Sequence, residues 1–174
     1  MNGFEIPQSF RLFSVVPPMV VASSPSATLV VNPAFLQEIK ESNPDLNHTL
    51  DNLRSLLRSP SCPSEACNKL ARSLDDLREH LSLQFSLEEA YGYLAVSEAP
   101  SRVLSELACR TQSQHGMLYM QLSDLAEQAE ELQYRGVEVD QLGRLLERTR
   151  EFDAELRSHE RAELELIERA YDLP

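Results

Sequence analysis

Leucine recurs at spacings of four and three along "LARSLDDLREHL", at Leu70, Leu74, Leu77 and Leu81. Only a helix puts such positions on one face, because a turn of about 3.6 residues brings i, i+4 and i+7 together. The same period returns as Leu46, Leu50, Leu53 and Leu57, as Leu104, Leu107, Leu118, Leu122 and Leu125, and as Leu142, Leu145, Phe152, Leu156 and Ile167. Four amphipathic helices of about 25 residues, joined by short connections, predict an all-α protein with an up-down-up-down four-helix bundle.

Punctuation sets the expected boundaries. Residues 1–31 are rich in Pro, Ser and Val without helical period and read as an extended or disordered N-terminal arm, with "TLVV" its one ordered piece. Asn32 followed by Pro33 is a helix start, so residues 32–174 form the bundle. Helix one is expected to reach Arg58 with a kink or split at Pro44, helix two to run on to Val96, a turn to fall at Pro100, helix three to end before Gly136, and helix four to begin near Val139.

With 28 acidic against 16 basic residues, a formal charge of −12 argues against nucleic acid or an anionic membrane as partner. No stretch approaches the roughly 20 uninterrupted apolar residues of a membrane span. Three cysteines without a second Cys/His pair make no zinc motif and read as reduced thiols. The chain is therefore expected to be cytoplasmic, with a metal ion or another protein as partner. No nucleophile signature or phosphate-binding loop is present, so no catalytic residue is assigned and an enzyme is not expected.

Polar residues on the apolar faces carry the functional signal. Relative to its leucine stripe, Glu88 falls about 10° and Gln84 about 50° from the inward direction, and on helix four Glu163 falls about 10° and His159 about 50° from it. "QFSLE" and "HERAE" thus place a polar residue and a carboxylate one turn apart on two inward faces. His115 lies at the edge of helix three's stripe, and Asn43 at that of helix one if the helix continues past Pro44. His48 points outward. Tyr91 faces inward, Tyr119 follows His115 by one turn, and His80 sits at the margin of helix two, so these three are candidates for supporting contacts. Buried carboxylates are neutralised, paired or metal-bound, and imidazole with carboxylate suits iron, manganese or zinc.

One inward position on helix one, a pair spaced by four on helix two, a histidine on helix three and "HERAE" on helix four resemble the hemerythrin-like, or HHE cation-binding, domain. "LREHLSLQFSLEEAYGYL" and "HERAELELIERAYD" carry most of the likeness, which covers residues 33–172. The resemblance implies a non-haem iron centre between the helices, with Glu88 and Glu163 as carboxylate ligands, His115 and His159 as histidine ligands, and a sensing, storage or oxygen-related role. Gln84 and Asn43 stand where that family carries histidines, and Tyr119 where some members carry a further one. An amide binds iron less well than imidazole, so these replacements speak against a full di-iron centre. They leave a single-metal site, with oxygen activation there as a lesser reading, or a metal-free helical protein acting through protein interaction.

Overall fold

The computed structural model describes residues 28–58, 62–98 and 101–172. Residues 1–27 of the expected arm and the expected turn at Pro100 lie outside the described residues. Five helices and one two-stranded ribbon make up the described chain: β1 (Thr28–Val31), α1 (Pro33–Glu41), α2 (Pro44–Arg58), α3 (Pro63–Leu87), a wide π-type turn at Glu88–Gly92, β2 (Tyr93–Val96), α4 (Arg102–Arg135) and α5 (Val139–Tyr171). The body is helical, as expected. No described helix is long and apolar enough to cross a membrane.

One boundary follows the sequence expectation and another departs from it. Helix one is split, because Pro44 has no N–H to continue the helix and instead opens α2, while the Asn43 side chain accepts a hydrogen bond from the Leu46 N–H (3.2 Å) as its cap. Helix two does not reach Val96. It runs from Pro63 and ends at Leu87; the π-type turn closes with the Tyr93 N–H bonded to the Glu88 carbonyl, and Tyr93–Val96 leaves as a strand. That strand pairs antiparallel with β1, Val31 opposite Tyr93 and Thr28 opposite Val96. The ordered piece expected at "TLVV" is therefore real, and its partner is the segment read from sequence as helix.

The ribbon fixes where α1 begins. The Leu29 N–H donates to Ser105 Oγ on α4 (3.0 Å), and the Asn32 N–H donates to the Gly92 carbonyl (2.8 Å). Asn32 then caps α1 by accepting from the Phe35 N–H (3.3 Å), as "NP" predicted. α1 packs on α5 and on the π-type turn, α2 on α3, α3 on α4 and α4 on α5. Ser101 caps α4, and Gly136, at φ +101°, closes it in a conformation that favours glycine.

Two apolar clusters result. The larger runs along α2 to α5 through Leu53, Leu74, Leu122 and Leu156 and includes Phe85. The smaller gathers Leu29, Leu36, Tyr93, Ala108, Leu166 and Ile167 beneath the ribbon. A group of buried polar side chains lies at their seam, since His115 touches both Phe85 and Tyr93.

Leu36 is fully buried and fills the space directly over Gly92, where a methyl group would collide with its side chain. Gly92→Ala is expected to destabilise the protein by about 1–3 kcal/mol, the usual cost of an added methylene in a packed core. Urea unfolding at unchanged slope reads this out; a midpoint equal to that of the parent would refute the packing assignment.

Candidate metal centre

Glu88, His115, His159 and Glu163 meet at the seam, all buried, each offering one ligand-type atom within 4.8 Å of every other. Three separate elements deliver them. Glu88 opens the π-type turn, His115 lies in the middle of α4, and His159 and Glu163 occupy successive turns of α5. Wide turns of this kind interrupt a helix at a defined place and are common at functional sites. The structure thus brings together the four residues named from sequence as ligands.

The distances decide what kind of cluster this is. His115 Nε2 is 3.5 Å from Glu88 Oε2 and 3.5 Å from Glu163 Oε1, and His159 Nε2 is 3.5 Å from Glu163 Oε2. These separations are too long for good hydrogen bonds. They match the edge of a tetrahedron of N and O ligands set about 2.0–2.2 Å from a shared ion, which is about 3.4 Å. Glu88 Oε2, His115 Nε2 and His159 Nε2 are buried and have no hydrogen-bond partner among the described residues.

The outer atoms of the same side chains are all engaged. His115 Nδ1 donates to Glu89 Oε1 (3.1 Å) and His159 Nδ1 to Gln114 Oε1 (3.0 Å), which turns both Nε2 atoms inward. Gln84 Nε2 donates to Glu88 Oε1 (2.9 Å), Asn43 Nδ2 donates to Gln84 Oε1 (3.3 Å), and Tyr93 OH donates to Glu163 Oε1 (2.9 Å). Phe85 stacks on His115 with centroids 4.2 Å apart and meets His159 edge-on, forming an apolar wall. Lys40 from α1 completes the set, with Nζ on Glu163 Oε2 and 3.6 Å from Glu88 Oε1.

The chain carries its own contrast. Asp153 is also a buried acid on α5, but Arg54 holds one of its oxygens at 2.8 Å and Arg157 the other at 2.9 Å. Both oxygens of that carboxylate are thus held within the chain. Glu88, by comparison, keeps one oxygen unpartnered and aimed at an imidazole. Burial, followed by repulsion from Glu163, raises the Glu88 pKa. Burial also works on Glu163, yet the contacts from His115, Lys40 and His159 prevail and lower its pKa. His159 is lowered to about 4, chiefly by burial, so it is a neutral ligand-type imidazole at pH 7. Burial raises the Tyr93 phenol, and Glu163 beside it adds to the shift.

Of the supporting residues named from sequence, Gln84 and Asn43 make the chain of amides just described. Tyr91 does not face inward: once the helix gives way at Glu88, its side chain turns out, is 54% exposed, and stacks on Phe35 (centroids 6.2 Å). Tyr119 makes no hydrogen bond to the cluster; it is partly exposed and lines a groove over His115 with Phe85, Ser86, Glu89 and Gly116. His80 makes no contact with the cluster among the described hydrogen bonds and ion pairs, and His48 is exposed, as expected. Sequence reasoning missed Tyr93, Glu89, Gln114 and Lys40. Lys40 was findable, because it stands four residues after the buried Leu36 on the same face. Comparison with protein-family models, with curated proteins and with solved structures returns no match.

Tyr93→Phe removes the donor to Glu163 Oε1 without changing shape. The loss is expected to be about 1.5–3 kcal/mol, as for a buried hydrogen bond to a charged group. Chemical denaturation measures it, and a change below about 0.5 kcal/mol would show that the phenol does not support the carboxylate.

Proposed function

We propose that the protein is a hemerythrin-like, up-down-up-down four-helix bundle that binds one metal ion, iron, at Glu88, His115, His159 and Glu163, and acts as a sensor or store of the ion or of a small ligand to it. The convergence of three unpartnered atoms, Glu88 Oε2, His115 Nε2 and His159 Nε2, with Glu163, at 3.5 Å spacings along the set, carries this reading. Two imidazoles and two carboxylates fit the preference of iron and its neighbours for mixed N and O ligands. Bound iron would supply a redox couple and a coordination position for a small molecule.

The protein's own residues do the rest. Glu89 and Gln114 hold the imidazole rings in the tautomer that presents Nε2. Gln84 and Tyr93 each fix one oxygen of a carboxylate and so orient the other. Phe85 keeps water off one side of His115. With amides at 43 and 84 in place of histidines, the ligand set supports one ion rather than two.

A second reading has its own observation. Lys40 already places a positive charge on both carboxylates, so the cluster is also consistent with a metal-free polar core in a protein-interaction domain.

Protein purified from iron-supplemented cells is expected to carry about one iron per chain, and His159→Ala to lose most of it. Less than about a tenth of an equivalent, unchanged by His159→Ala, would favour the second reading. Among the supporting contacts, Glu89→Ala and Gln114→Ala are each expected to weaken metal affinity by about 10–100-fold while leaving the fold intact by circular dichroism. Affinities equal to the parent's would show that the imidazoles need no orientation from outside.

A further inference from the structure

Of the 16 basic residues, two are lysines, Lys40 and Lys69. Lys69 is an ordinary surface residue, paired with Glu65 at 2.7 Å and more than half exposed. Lys40 is different. α1 points it into the cluster, where its Nζ contacts Glu163 Oε2 and lies 3.6 Å from Glu88 Oε1, and its side chain retains 17% exposure.

The oxygen that Lys40 holds is not a spare one. Glu163 Oε2 is also the atom 3.5 Å from His159 Nε2, at one corner of the ligand set. An ammonium and a metal ion would therefore draw on the same carboxylate oxygen. Two carboxylates balance a divalent ion; keeping the ammonium as well would leave a buried positive charge without a counter-ion.

We infer that Lys40 is a tethered cation that competes with a metal ion for Glu163 and Glu88, so that metal entry and the departure of the Lys40 side chain from the cluster are one exchange. This rests on the metal-binding reading of the site and adds its regulation. The stem has a way out: Lys40 stands at the rim, its four-carbon chain is flexible, and Glu160, half-buried three residues before Glu163, is a carboxylate outside the four-ligand set. The exchange is tied to the fold's edge, since Lys40 sits in the last turn of α1 and α1 is fastened through Asn32 to Gly92, the last residue of the turn that holds Glu88. Lys40 also explains how the two buried acids coexist without a metal: it is the one residue in contact range of both that carries a permanent positive charge among the described ion pairs.

Cobalt(II) titration followed by its visible absorption tests the exchange, using the full chain and Lys40→Met. The variant is expected to bind Co(II) about tenfold more tightly or better, a normal size for coupling between two competing ligands, with the same absorption envelope. In the wild-type protein, limited acylation read by peptide mass mapping should show Lys40 becoming more reactive as Co(II) is added, with Lys69 as the constant reference. This second measurement decides the matter if Lys40→Met does not fold. Equal affinity in both proteins, weaker binding in the variant, or Lys40 reactivity unchanged by bound Co(II) would overturn the inference while leaving the metal reading in place. Binding by Lys40→Met alone would uphold the competition and end the view of the native protein as a metal carrier. No Co(II) binding by either protein would overturn both.

Discussion

Two carboxylates buried against each other are the constraint around which this structure is arranged. Glu88 and Glu163 are fully buried on neighbouring elements, and charges so placed repel strongly where the surroundings are apolar. Each surrounding feature answers that repulsion. Tyr93 and Gln84 donate hydrogen bonds, Lys40 brings a positive charge, and the imidazoles turn their inner nitrogens toward the acids. The split of helix one, the π-type turn and the ribbon are the means by which donors from α1, α3 and β2 reach one point.

The π-type turn contributes to this convergence through its geometry. Had α3 continued as a regular helix, Tyr91 would have pointed inward and Tyr93 away. The wide turn re-aims the chain so that Glu88 stays inside while Tyr93 enters the smaller apolar cluster with its hydroxyl on Glu163. Gly92 makes this possible by leaving room for Leu36, which in turn sets the face of α1 that carries Lys40. The site and the irregular part of the fold thus depend on the same few residues.

How much of this could be read in the sequence follows from which interactions are local. The leucine stripes placed α3, α4 and α5 because helical period is a property of neighbouring residues, and the same arithmetic found Glu88, His115, His159 and Glu163. Asn32-Pro33 and Pro44 announced a start and a break for steric reasons that need no tertiary context. β2 was misread because "YGYLAV" continues an apolar pattern, and only pairing with β1, more than 60 residues earlier, decides in favour of a strand. Lys40 was overlooked because a lone lysine near a stripe ordinarily snorkels to water. Here the partners that draw it inward lie on α5 and the π-type turn, which the sequence of α1 does not contain.

The amides at 43 and 84 connect these points. On the hemerythrin-like reading, histidines in both places would complete a second set of ligands on the α1 side of the carboxylates. In this chain that side is occupied by Asn43 and Gln84 bonded to each other, and by Lys40 bonded to Glu163 and 3.6 Å from Glu88. An amide pair and an ammonium supply donors where imidazoles would supply lone pairs, so the α1 side is matched to carboxylate oxygens and mismatched to a metal. The side facing His115 and His159 keeps a different character, with the unpartnered Glu88 Oε2, His115 Nε2 and His159 Nε2 converging. On the proposed metal-binding reading the cluster is therefore two-sided, half of it neutralising acid from within the chain and half of it open to sharing a cation from outside. That asymmetry ties the loss of two ligand positions to the presence of Lys40, and it is why the proposed site takes one ion.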